Sequence, residues 1–432
     1  MKTVGGGRKA LRTAVYAVLR HAPRLRIATR HAYWAFQRRK YHALAASVPT
    51  EPLTVFFEAY GGRSYACSPK AIYREMIADS RFAGREFIWS FRGDSVPDDE
   101  PELDRACIVR RGSQEYFRAL ARAGVIVMNN RLPEYVHPKQ DQVYVQCWHG
   151  TPLKRLGYDV QIDMQGALNT ASELAQRFGL DARKWTYLLS PSPYTSQHLA
   201  DAFGLPENKR ANTILELGYP RNDALAQARD DARARDRAAS ALGVPAGKKT
   251  LLYAPTWRDD SYRDGVGYTF DYLLDFDAMQ RALGDEWVVL FRAHYYIANS
   301  FDFSSYDGFV IDVSGVDDIN DVYLASDLLL NDYSSVMFDY ANLRRPMALF
   351  VPDFDHYAAN IRGFYFDLAD VPGPQCTTTA QVIEAISDFD HLKQRYSQSY
   401  DEFVARFCPL DDGCAAKRVV ERVAEDQRFR RE

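Results

Sequence analysis

Short apolar runs recur along the middle of the chain, and stretches with helical spacing separate them. Leu53–Glu58, Glu86–Phe91, Gly124–Asn129, Val143–Trp148 and Thr186–Ser190 are rich in β-branched and aromatic residues and read as strands. Helical spacing falls at 69–79, 113–123 and 168–179. A second set of runs opens at Thr250 and continues through Trp287–Ala293, Phe309–Val313, Asp327–Asn331 and Met347–Val351. Such alternation predicts βαβ units and parallel sheets with helices on both faces. The first block closes near Leu215–Asp223. Residues 224–248, rich in Ala, Arg and Asp and ending in Gly243-Val244-Pro245, read as a surface helix and an interdomain connection. The pattern therefore divides the chain into a tail (1–50), a Rossmann-like domain (51–225), a second one (226–410) and a charged C-terminal helix (411–432). Two such blocks in tandem place a cleft between them, and the sequence holds no repeat of solenoid length.

The first 50 residues follow a different pattern. Leu11, Val15, Val18 and Leu19 share one helical face, with Arg8, Lys9, Arg12 and Arg20 around them, and Pro23 breaks that helix. A second basic segment carries Tyr33, Trp34 and Phe36. Charge sharpens the contrast, because the tail holds 11 Lys and Arg and no acid, which leaves 43 bases against 57 acids in the body. An apolar stripe with basic flanks and aromatics describes a helix lying on an anionic membrane surface. A solvated basic helix packed on the body and a nucleic-acid arm are the other readings. An acidic body without a recognition motif argues against nucleic acid. No apolar run approaches the roughly 20 residues that span a bilayer, and no secretory signal is visible. The six cysteines include no Cys-x-x-Cys pair and read as reduced thiols of a cytosolic protein. Together these features place the protein peripherally on the cytoplasmic side of the cell membrane.

Chemistry concentrates where strands end. Val143–Val145 runs into Trp148-His149-Gly150-Thr151-Pro152, a turn that offers an imidazole and a hydroxyl at the edge where open α/β sheets bind ligands. Pro255-Thr256-Trp257-Arg258 follows a strand and supplies a hydroxyl and a guanidinium. Arg292-Ala293-His294 ends another. Asp332-Tyr333-Ser334-Ser335 precedes a helix expected over Val336–Asn342, which puts two hydroxyls and free amides at a helix N-terminus, with Asp339 one turn on. Each has an ordinary reading alone: a packed histidine, a turn hydroxyl, a surface ion pair, a plain N-cap. With the Gly218–Asp223 segment that closes the first block, these make five polar strand ends in two αβ blocks, and they are not independent accidents. No Asp, His or Cys cluster has metal-ligand spacing, so neither a metal nor a cofactor is expected.

The segments Trp148–Lys154, Gly218–Asp223, Tyr253–Arg258, Arg292-x-His294-Tyr295 and Asp332-Tyr333-Ser334-Ser335-x-x-x-Asp339, in this order and spacing, resemble the CDP-glycerol glycerophosphotransferase family, the teichoic acid primases and polymerases. The resemblance spans roughly 53–425. It implies a GT-B-like pair of Rossmann domains and transfer of glycerol phosphate from CDP-glycerol to a polyprenyl-diphosphate-linked glycan or growing poly(glycerol phosphate), with CMP leaving. By motif, His149 matches the general base and His294 a second essential histidine. Trp148, Gly150, Thr151, Pro152, Arg221, Pro255, Thr256, Arg258, Arg292, Ala293, Ser334, Ser335 and Asp339 match contacts to CDP-glycerol. A histidine neutral near pH 7 suits activation of a hydroxyl, and positioned donors suit the charge growing on the phosphoryl oxygens. A CDP-ribitol enzyme would share all of this. A nucleotide-sugar glycosyltransferase would share the fold but needs no pair of strand-end histidines, and a silent partner of a synthesis complex needs no base.

Overall fold

Val55, Phe56 and Phe57 are fully buried in the middle of β1 (Glu51–Glu58), and that burial on both faces is what a central parallel strand requires. The computed structural model describes residues 23–429 other than 94, 162–169, 257–261, 264–266, 269–273, 294–301 and 355–362. Around β1 the first sheet adds β2 (Glu86–Phe91), β3 (Ala106–Arg110), β4 (Ala123–Met128), β5 (Val143–Gln146), β6 (Tyr187–Ser190) and β7 (Ile214–Glu216). All seven run parallel, in the order β3-β2-β1-β4-β5-β6-β7. Successive side chains leave on opposite faces. Val55, Phe57 and Trp89 enter one core layer with Val125 and Val127, while Phe56, Ile88 and Ile126 enter the other. Trp89 and Phe57 stack at 5.3 Å; truncating such side chains to alanine costs about 3–5 kcal/mol.

The second sheet contains β8 (Lys249–Tyr253), then, past a short antiparallel hairpin of β9 (Tyr262–Arg263) and β10 (Gly267–Tyr268), β11 (Trp287–Phe291), β12 (Val310–Asp312), β13 (Leu328–Asn331), β14 (Met347–Phe350) and β15 (Gln375–Cys376). Its six strands are parallel, in the order β12-β11-β8-β13-β14-β15. Both sheets thus reverse direction beside their first strand, between β1 and β4 and between β8 and β13. Crevices at the carboxyl ends of such switch points are where open α/β sheets take ligands. Two parallel α/β units are the fold class expected from the sequence.

Several boundaries differ. β3, β7 and β15 were not expected from the apolar runs, because all three lie at sheet edges: Cys107 and Ile108 of β3 face solvent, and the other two are three and two residues long. β5 stops at Gln146 and β11 at Phe291, short of the expected Trp148 and Ala293, and the residues beyond form the site. In place of one helix over 224–248 there are two, Asp223–Ala228 and Ala232–Ala241, the second capped by Asp231.

The basic segment that follows Pro23 forms helix α1 (Pro23–Ser47), with Pro23 at its first position, where proline fits. The preceding apolar stripe, Leu11 to Leu19, lies outside the described residues. α1 rests on the first domain. Tyr41 is buried, and Arg26 and Arg30 both pair with Glu173. Leu25, Tyr33 and Phe36 remain more than half exposed. Among the described residues no helix is long and apolar enough to cross a membrane.

After the second sheet the chain returns. The C-terminal helix Ala415–Glu425 inserts Val419, Val420 and Val423 into the first sheet's core, and the Asp223 carboxylate accepts from the amides of Ala415 and Ala416 at 2.9 and 2.7 Å. The crossing point requires glycine: Gly218 has φ +86°, and a Cβ there would lie 2.4 Å from the Leu410 carbonyl.

Candidate functional site

The carboxyl ends of both sheets face one cleft of about 720 Å³. Tyr60, Arg63 and His149 line it from the first domain, and Pro255, Thr256, Arg292, Ala293 and Ser334 from the second, with Arg221 and Asp339 between. A narrower recess of about 200 Å³ adjoins it, lined by Trp148, Gly150, Thr151, Pro152 and Ser335. The residues singled out from five separate strand ends therefore converge, apart from His294 and Arg258, which lie outside the described residues.

His149 is fixed by what precedes it. Trp148 has φ +50°, its amide donates to Gln146 Oε1 at 2.9 Å, and its ring packs edge-on against Phe203 at 4.9 Å. The imidazole swings back so that Nδ1 lies 2.7 Å from the Asn129 carbonyl. A carbonyl only accepts, so Nδ1 carries the proton and Nε2 keeps its lone pair. The ring edge opens to the cleft, yet protein surrounds it at longer range. That enclosure, with the cations of Arg221, Arg131 and Arg63 nearby, pushes its pKa down to about 4 against the help of the Asn129 bond. The imidazole is therefore neutral at pH 7. Asn129 also orders the neighbouring loop, since its Oδ1 accepts from the Tyr60 amide at 2.7 Å.

Arg221 is 5% exposed. Its Nε and Nη2 donate to Asp339 Oδ1 at 3.1 and 2.7 Å, the same oxygen accepts from Asn222 at 3.2 Å, and Nη1 has no partner. Asp339 thus braces a cation while itself lining the cleft. Asn222 also donates to Asp411 at 2.6 Å, a carboxyl that burial pushes up to about 7. Arg292 is half-buried; its Nη1 donates to the carbonyls of Val313 and Val316 at 2.8 and 2.9 Å, while the Ala293 amide donates to Ser314 at 2.9 Å. The guanidinium therefore shapes the loop after β12 as well as facing the cleft.

Thr256 is positioned by Asp332, whose carboxylate accepts from its amide at 2.8 Å and its hydroxyl at 2.6 Å. The helix after Ser335 is only Val336–Tyr340, followed by a 3-10 turn at Ala341–Leu343, and Ser335 does not cap it. Its expected extension to Asn342 fails because the turn tightens after Tyr340. Gly150 meets this segment closely: a Cβ there would stand 3.1 Å from Ser335 Oγ. Missed from the sequence were Tyr60, Arg63, Ser64, Ala66 and Cys67, which the loop after β1 carries into the cleft. The Gly61-Gly62 pair, with φ +66° and +76°, was the available signal for that turn. Among the described residues no cluster suits a metal ion.

Comparison with known proteins gives the same picture. A family described as CDP-glycerol:poly(glycerophosphate) glycerophosphotransferase matches residues 40–425. The chain is similar to the teichoic acid poly(glycerol phosphate) polymerase of Staphylococcus epidermidis, 39% identical over 87% of this chain and 51% of that protein. To the teichoic acid glycerol-phosphate transferase of Staphylococcus aureus it is 35% identical, over 88% of this chain and 95% of that one. It spans about half the length of the first of these relatives. A solved structure of the wall teichoic acid polymerase TagF superposes with a TM-score of 0.81 at 35% identity, covering 99% of this chain and 98% of that one.

Proposed function

The chain belongs to the CDP-glycerol:poly(glycerophosphate) glycerophosphotransferase family, and from that premise we propose that it transfers glycerol phosphate from CDP-glycerol to a hydroxyl of a poly(glycerol phosphate) or lipid-linked glycan acceptor. The observation that carries this reading is the imidazole of His149, held through Nδ1 at 2.7 Å from Asn129 and neutral, with Nε2 left for the cleft between the two sheets. In the proposed step the acceptor hydroxyl gives its proton to Nε2, and its oxygen forms a bond to the phosphorus that carries glycerol. The bond from that phosphorus to the CMP oxygen breaks, and CMP leaves with the electron pair. Negative charge spreads over the phosphoryl oxygens in transit, and Arg221, Arg292 and the Ser334–Ser335 segment, which line the cleft and its recess, would meet it. Positioned bases of this kind supply about 10²–10⁴-fold. His294 would be the second histidine of the motif.

The tail supports attachment to the membrane from the cytoplasmic side. α1 holds its basic residues beside exposed Leu25, Tyr33 and Phe36, the composition of an interfacial surface. Incubating the purified protein with CDP-glycerol or CDP-ribitol and a lipid-linked acceptor, and measuring CMP, tests the reading. No CMP from either donor overturns the activity, and CMP from CDP-ribitol alone overturns the polyol.

A further inference from the structure

The helix α2 (Cys67–Ala78) starts on the cleft wall, one loop after β1, and its N-terminus is left open. Ala66 stands at the N-cap position with an extended backbone, and no side chain caps the helix. Pro69 carries no N–H, so the unbonded donors of the first turn are the amides of Cys67 and Ser68. Cys67 enters at φ +66°, and a left-handed residue followed by a right-handed one turns consecutive N–H groups into one concavity. An open helix start needs a partner, and the dipole favours an anion there.

A second observation points the same way. The Arg221 amide donates to Ser68 Oγ at 3.4 Å, so this arginine runs beside the first turn of α2. Two of its nitrogens are taken by Asp339, but Nη1, on the edge turned away from that carboxylate, is buried and unpartnered. A buried guanidinium nitrogen without an acceptor costs stability unless a ligand or water supplies one. Ala66, Cys67, Arg63 and Arg221 all line the cleft. Tyr60 ties the spot to the proposed base: it lines the cleft together with Cys67, and its ring lies 6.1 Å from that of His149. Among the described residues three acids line this cleft: Asp339 pairs with Arg221, Asp318 lies 3.7 Å from Lys70, and Asp317 is a carboxyl whose pKa burial raises, which favours its neutral form.

We infer that the N-terminus of α2 and Arg221 Nη1 form a phosphate-binding subsite of the cleft, one that takes a phosphate or phosphodiester group of the reacting molecules. This rests on the phosphoryl-transfer reading above. The group belongs either to the donor or to the last phosphodiester of the acceptor, and the chemistry that holds it is the same.

Ala66→Asp tests it. An aspartate at an extended N-cap satisfies the amides from within the chain and stabilises a helix, while its charge excludes an external anion. The folded variant is expected to bind inorganic phosphate at least tenfold more weakly, measured by ³¹P line broadening. A matching tenfold rise in the Kd for CDP-glycerol identifies the donor as the source. A matching rise in KM for an acceptor ending in glycerol phosphate, with the donor Kd unchanged, identifies the acceptor. Ala66→Asn, a cap without charge, is expected to lose several-fold less than Ala66→Asp in each reading. If Ala66→Asp does not fold, Arg221→Lys, which lacks Nη1, is read in the same way. A folded variant with all three constants unchanged overturns the subsite. If the wild type releases no CMP at all, the transfer reading fails, and phosphate binding still judges the subsite alone.

Discussion

Removing the Asp339 carboxylate is expected to destabilise the second domain by about 3–5 kcal/mol, the usual cost of breaking a buried ion pair from one side. Oδ1 of Asp339 accepts three bonds, two from Arg221 and one from Asn222, and the Arg221 side chain is 5% exposed. At the 2.7 Å separation of the pair, the direct attraction is about 6 kcal/mol with an effective dielectric near 20. Water entering from the cleft recovers part of that, which leaves the lower figure. Asp339→Ala should therefore shift the urea midpoint down by about 1–2 M for a slope near 3 kcal/mol per M. Replacing both partners with apolar groups, Arg221→Met with Asp339→Leu, should restore most of the loss, because no buried charge is left alone. The double variant should still be inactive in CMP release, which separates bracing from contact. A shift below about 0.3 M for Asp339→Ala, or a double variant no more stable than that single one, refutes the assignment of Asp339 as the brace of Arg221.

Three further outcomes follow from the site. His149→Asn should lower CMP release by about 10²–10⁴-fold while leaving CDP-glycerol affinity within a few-fold by calorimetry; near-normal turnover would reject the base. The acid limb of kcat/KM should lie well below the ordinary histidine value, toward about 4, because activity needs the neutral ring, and burial first and the nearby cations second oppose its second proton; Arg63→Gln should move that limb slightly upward, and a limb at 6.5 or above in the wild type contradicts the electrostatics. Substituting Leu25, Tyr33 and Phe36 with Ser should reduce sedimentation with anionic vesicles while keeping the Arg26 and Arg30 pairs to Glu173 and the melting temperature, and undiminished sedimentation would remove α1 from the membrane reading.

The parts of the fold that could be read from the sequence are those whose strands are buried on both sides. Val143–Val145 and Leu328–Leu330 are uninterrupted apolar runs because each sits between two neighbours and under two layers of helices. β3, β7 and β15 bond on one side only, so their sequences need not be apolar and give no such signal. The strand ends were legible for the same reason as the central strands: where a buried run stops in polar turn residues, the sheet presents those residues at its carboxyl edge. What pairs with them was not legible. Asp339 meets Arg221 across 118 residues of sequence, and Thr256 meets Asp332 across 76. No local spacing encodes either pair, so the bracing of Arg221 by Asp339 and of Thr256 by Asp332 could not be read in advance.

Backbone strain shows why the position of His149 is set so tightly. Among the described residues four non-glycine residues have positive φ, and Tyr60, Cys67 and Trp148 are three of them, all lining the cleft or its adjoining recess. A left-handed conformation costs an ordinary residue about 1–2 kcal/mol, and such residues persist only where their surroundings over-determine them. Trp148 meets that condition: Gln146 takes its amide at 2.9 Å, and its ring is wedged against Phe178 and Phe203 at 6.1 and 4.9 Å. Tyr60 meets it through Asn129, whose side chain takes the Tyr60 amide while its carbonyl takes His149 Nδ1. One asparagine at the end of β4 therefore couples the loop after β1 to the turn after β5. Glycine at position 60 or 148 would relieve the strain but give up the rings, and with them the packing that fixes the imidazole. The tightest constraint in the site thus comes from aromatic residues held where glycine would be easier, and the proposed base inherits its orientation from them.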